Sequence, residues 1–195
     1  MFADKWNRHI VLYPHDKVFR CLLEPLIPRW LKPNHITVSR IFLTPPVLYF
    51  LFVEDYRIGV PLFLLVALTD AIDGSLARVR RQITEWGVLY DPLADKLLIG
   101  SVLFLIVLRH INFYLGISLL VVEVGLIVGG WIRKRRGRVE PANVWGKIKM
   151  LTEVIGITLL LIALWLDISL LVDLSIGTLA VALVVAIVSV LAKIK

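Results

Sequence analysis

Six apolar runs leave this chain few ways to fold. They span about Ile36 to Val53, Val60 to Ala77, Pro92 to Leu108, Phe113 to Ile132, Met150 to Leu166 and Leu170 to Leu191. Each approaches the roughly 20 apolar residues that carry a helix across a bilayer, and in hydrocarbon only helices and closed barrels satisfy every backbone polar group. With 58% apolar residues and a mean hydropathy of +0.83, the composition lies outside that of soluble domains. The expected fold class is therefore an all-α integral membrane protein. Residues 36–195 form a six-helix membrane domain, and residues 1–35 an N-terminal interfacial segment.

That segment carries Val18, Phe19, Leu22, Leu23, Leu26, Ile27, Trp30 and Leu31 on one helical face and Asp16, Lys17, Arg20 and Glu24 on the other. Such an amphipathic stripe suits a helix lying in the membrane interface or packed on the bundle, and Pro25 and Pro28 break it into pieces. The N-terminus shows no signal-peptide pattern, since no apolar core follows its first charges. Cys21 is the one cysteine, so no internal disulfide is expected.

The basic residues give the orientation. Of 22 Lys and Arg, 20 fall before or at the start of the first span, between spans two and three or just inside the third, between spans four and five, or at the C-terminus; only Arg57 and Arg109 fall on the opposite side. Positive charge gathers in cytoplasmic loops, which places both termini in the cytoplasm and the protein in the cytoplasmic (inner) membrane. The net charge of +7 is thereby explained by topology and anionic lipid heads, and no nucleic-acid partner is expected.

Against this background Asp70, Asp73, Asp91 and Asp95 are costly, four carboxylates within 26 residues. On helices, Asp70 and Asp73 lie roughly 60° apart around the axis and Asp91 and Asp95 roughly 40° apart, so each pair shares a face. Two such helices facing one another make an oxygen cage, the donor set of hard divalent ions such as Mg²⁺ or Mn²⁺. Gly74, Ala77 and Gly87 keep small side chains beside the acids, and Arg78 offers a fork suited to phosphate oxygens. Acids for metal and arginine for phosphate point to phosphoryl transfer assisted by two cations. A divalent-cation transporter with carboxylates in broken helices, or an inactive membrane scaffold, are the alternatives of a different class.

The complete pattern, D-x2-D-G-x2-A-R-x8-G-x3-D-x3-D from Asp70 to Asp95, resembles the signature of the CDP-alcohol phosphotransferase (phosphatidyltransferase) family. The resemblance implies a membrane enzyme that moves a phosphatidyl group from CDP-diacylglycerol to a small alcohol and releases CMP in phospholipid biosynthesis. It implies Asp70, Asp73, Asp91 and Asp95 as ligands of two divalent ions, with Asp95 also as the catalytic base that takes the alcohol's proton. Gly74, Ala77, Arg78 and Gly87 then line the donor site. In Pro33-Asn34-His35-Ile36-Thr37-Val38-Ser39-Arg40, Asn34 and Thr37 are expected as donor contacts, although capping alone would explain Asn34. Arg40, deeper in the span, needs a lipid phosphate or an internal partner.

The acceptor is read from the basic stretch that includes Arg133 and Lys147, whose cations suit an alcohol carrying its own phosphate. Gly146-Lys147-Ile148-Lys149 is similar to bacterial phosphatidylglycerophosphate synthases, making glycerol 3-phosphate the first choice, with inositol phosphate or another alcohol as alternatives. That group usually has Arg-Glu in the fourth span, where this chain has Val122-Glu123. Glu123 requires the cavity or a cation from another helix, and Gly125 with Gly129 permits close helix approach, which serves either packing within the chain or dimerisation, a homodimer being expected. Asp91-Pro92 leaves a choice between a helix starting at Pro92, capped by Asp91, and one running from near Gly87 through both acids.

Overall fold

A computed structural model describes residues 21, 27–28, 31–82, 84–135 and 144–191, with side chains 130–135 and a few in 71–92 left aside. The predicted N-terminal amphipathic helix falls almost wholly outside them, as do residues 136–143. All regular structure among the described residues is helical: α1 (Pro33–Phe52), α2 (Tyr56–Val79), α3 (Glu85–Val102), a π-helical turn (Leu103–Val107), α4 (Leu108–His110), α5 (Phe113–Arg135), α6 (Val144–Leu166) and α7 (Ser169–Leu191).

Among these, α1, α2, α6 and α7 are long and apolar enough to cross a membrane, while the apolar helix Phe113–Gly129 within α5 is shorter. The α7 residues Leu170, Leu174, Val181, Val184, Ile187 and Leu191 are exposed. An apolar face of this kind is at home in lipid rather than in water.

The helices assort into two compact units, residues 1–50 with 61–98, and residues 51–60 with 99–195. In the first, Ile36 of α1 and Leu76 of α2 form a buried contact onto which Ile27, Leu31, Ile72 and Val79 pack. Arg80 reinforces it by donating to the carbonyls of Ile27, Pro28 and Leu31 at 2.7, 3.3 and 3.1 Å. Helix α2 stops because Arg81 turns left-handed at φ 53°, which lets Gln82 N reach Ala77 O at 2.9 Å and Arg81 N reach Arg78 O at 3.3 Å.

The structure decides how two of the helices start. Helix α1 begins at Pro33, comfortable in the first turn without an N–H, so Asn34 sits inside that turn rather than capping it. The third helix begins at Glu85, not Pro92. Thr84 caps it by accepting from Gly87 N at 3.0 Å, and the helix runs through Asp91 and Pro92 despite the donor that proline removes. Of the two readings of Asp91-Pro92, the continuous helix is the one adopted.

In the second unit α6 and α7 form a hairpin about Asp167, also left-handed at φ 55°, with Ile168 N bonded to Ala163 O at 3.1 Å. Gly156 is where they touch: a Cβ there would lie 2.8 Å from the Leu179 side chain. Ile157, Leu160, Leu161, Leu179, Ala182 and Ala186 complete the seam.

Candidate active site

In the first unit the sequence motif folds into one polar cluster on three helices. Arg40, projecting from the second turn of α1, is fully buried and gives Nη1 to Asp70 and Nη2 to Asp73, both on α2. Thr37, one turn earlier, presents its hydroxyl to Asp91 Oδ1 of α3 at 2.7 Å, to Asp73 Oδ2 at 3.3 Å and to its own helix at Pro33 O, 3.4 Å. A hydroxyl has one proton, and the shortest of these contacts identifies Asp91 as its acceptor. Asp70, Asp73 and Asp91 are thus linked through two α1 side chains, with Asp73 at the centre and 3% exposed.

A second set of oxygens adjoins Asp91. Thr84 Oγ1 donates to Asn34 Oδ1 at 2.9 Å. A Cβ built on Gly87 would meet Thr84 Oγ1 at 3.2 Å, Asp91 Oδ2 at 3.3 Å and Asn34 Oδ1 at 3.4 Å. Glycine here keeps open an oxygen-lined cradle that any side chain would fill.

Other expected residues lie nearby in sequence and helix. Asp95 is half-buried one turn beyond Asp91 on α3, on the same face. Ala77 is half-buried on α2. The open face of Gly74 is covered by Arg78, whose Nη1 lies 3.4 Å from the missing Cβ while Nη2 reaches Ser75 Oγ at 3.3 Å.

The expected acceptor residues belong to the second unit. Lys147 is exposed on α6. Arg133 lies on α5, its side chain outside the described set. Lys149, by contrast, is buried, paired with Glu123 of α5 and with Glu153 at 2.5 Å. This supplies the partner that Glu123 required.

The cluster's chemistry is anionic and hard. Asp70, Asp73 and Asp91 against Arg40 leave an excess of two negative charges on carboxylate oxygens, a donor set that fits Mg²⁺ or Mn²⁺. Among the described residues no three His, Cys, Asp or Glu side chains close on a single point; Arg40 stands between Asp70 and Asp73 instead. Sequence reasoning had asked for a partner of Arg40 without joining it to the acids. Its i, i+3 placement after Thr37 on one face of α1 was the available signal.

Comparison with known proteins identifies the family. A family model described as CDP-alcohol phosphatidyltransferase matches residues 30–191. Three relatives are named CDP-diacylglycerol--glycerol-3-phosphate 3-phosphatidyltransferase. The one from Aquifex aeolicus is 36% identical over 61% of this chain and 68% of its own length. That from Mycoplasma pneumoniae is 29% identical over 68% and 71%, and that from Pseudomonas fluorescens is 32% identical over 66% and 71%.

Proposed function

The chain belongs to the CDP-alcohol phosphatidyltransferase family, and from that premise we propose that it transfers a phosphatidyl group from CDP-diacylglycerol to glycerol 3-phosphate, releasing CMP and forming phosphatidylglycerophosphate. The single observation that carries this reading is the convergence of Asp70, Asp73 and Asp91 on Thr37 and Arg40, joined to relatives whose names specify that donor and acceptor. The inositol-phosphate alternative has no relative of that name among these three. A transporter reading is disfavoured because a permeating cation would have to pass the fixed charge of Arg40.

Asp70, Asp73, Asp91 and Asp95 would hold two divalent cations, which when bound supply neutralisation of the charge gathering on the diphosphate. The chain's own residues do the rest. Arg78 holds a donor phosphate oxygen. Asp95 takes the proton of the acceptor hydroxyl as that oxygen bonds to the phosphorus bearing diacylglycerol, and the bond from that phosphorus to the CMP oxygen breaks. Asn34 and Thr37 order the carboxylates and the cradle at Gly87, beside which the nucleotide is placed. Lys147 and Arg133, in the second unit, are the cations proposed for an acceptor that carries its own phosphate.

The proposal includes six membrane spans, α3 with its π turn and α5 being the third and fourth, in a cytoplasmic membrane. Both termini and the acids then face the cytoplasm, where a soluble nucleotide leaves. It also includes a homodimer across the α5 face at Gly125, where nothing lies within 4 Å of an added Cβ.

The test is CMP release from CDP-diacylglycerol by the purified chain in detergent, across a panel of alcohols with and without a chelator. Release with glycerol 3-phosphate that chelation abolishes and Mg²⁺ or Mn²⁺ restores is expected. Cation flux in liposomes without CMP release would overturn the reading. Asp95→Asn should lower the rate about a hundredfold with substrate KM little changed, the typical loss of a general base. Gly87→Ala should lower the rate about tenfold by crowding Asp91 and Asn34. Its Tm should hardly move, because about 1 kcal/mol of helix propensity offsets the crowding; an unchanged rate would show that the cradle is not used.

A further inference from the structure

Arg40 is an unusual partner for acids read as cation ligands. Its side chain is 0% exposed, and both terminal nitrogens go to carboxylates, Nη1 to Asp70 and Nη2 to Asp73. Its Nε, equally buried, has no hydrogen-bond partner among the described residues. The two ion pairs hold the guanidinium where this buried N–H finds no acceptor, a cost that the charge-assisted bonds offset. Asp70 and Asp73 share Arg40 as their ion-pair partner, and Asp73 is itself buried. Removing Arg40 would leave three neighbouring carboxylates uncompensated, whereas keeping it leaves two negative charges, the charge that one divalent ion cancels.

We propose that Arg40 is a built-in counter-cation that competes with a divalent ion for the carboxylates of Asp70 and Asp73, and so sets how tightly this site takes one. The inference rests on the reading of those acids as cation ligands. Before loading, Arg40 offsets the repulsion among Asp70 and Asp73 on α2 and Asp91 on α3. On loading it yields part of its hold, which weakens binding and keeps the ion exchangeable. Arg40 is thus a positioning residue that acts through the two aspartates.

The experiment is a Mn²⁺ titration of the full-length chain in detergent, following free ion by electron paramagnetic resonance and thermal unfolding at each concentration. Arg40→Gln should bind Mn²⁺ about tenfold tighter than the wild type, since one charge within contact distance is removed. Its Tm should fall without the ion and recover more than the wild type gains when the ion is added. Arg40→Lys carries one ammonium that cannot span both carboxylates, and its affinity should fall between the two. A merely structural arginine would lower Tm equally with and without Mn²⁺. Affinity equal to or weaker than wild type in either variant overturns the proposal, and Arg40→Lys alone decides it if Arg40→Gln does not fold. Absence of Mn²⁺ binding by the wild type, or binding untouched by Asp73→Asn, overturns the cation reading itself, a distinguishable result.

Discussion

Asp73→Asn is expected to lower CMP release by at least about a thousandfold, the scale on which loss of charge at a reacting phosphoryl centre is felt. Asp73 is the most buried of the three acids, the one that meets both Arg40 and Thr37. The amide keeps the shape of the carboxylate, so Arg40 still finds an oxygen acceptor and Asp70 still pairs with its Nη1. What disappears is one negative charge at the point where α1 and α2 meet within the first unit. Saturating CDP-diacylglycerol and acceptor, with a melting curve as a control for folding, make the measurement. Activity within tenfold of wild type would remove this acid from the chemistry.

Lys149→Met is expected to be the most destabilising single change in the second unit, by about 3–5 kcal/mol, the typical cost of breaking a buried ion pair from one side. Lys149 is 5% exposed and lies between Glu123 and Glu153. Methionine fills the volume but leaves two carboxylates facing one another without a counter-charge. The loss should appear as a lower Tm in detergent. The triple variant with Glu123→Gln and Glu153→Gln should recover most of it, because no buried charge then remains. Failure of that rescue would mean that the loss comes from packing around Lys149 rather than from the two carboxylates left without a counter-charge. In that case the triple variant would fold no better than Lys149→Met.

Much of this was legible in residue order. Apolar runs long enough to cross a bilayer can only be helices, so α1, α2 and α7 start and stop within a few residues of the expected limits, whereas α6 begins at Val144, ahead of the expected Met150. Where α1 and α3 start depended on how caps compete. Thr84, an ordinary cap just before Glu85, overrode the pairing of Asp91 with Pro92. The four aspartates were recognisable because charge is costly among apolar residues, and their helical spacing placed each pair on one face.

Residue order by itself determined that the chain is helical and membrane-bound, that its acids share helix faces, and which family signature they form, since hydropathy and helical period act locally along the chain. Only the tertiary structure decided that Arg40 lies between Asp70 and Asp73, that Thr37 serves Asp91, and that Glu123 meets Lys149 across 26 residues. Those pairings join separate helices, and the charge each buried group must find is satisfied by whichever partner packing brings near, a choice that no local periodicity encodes.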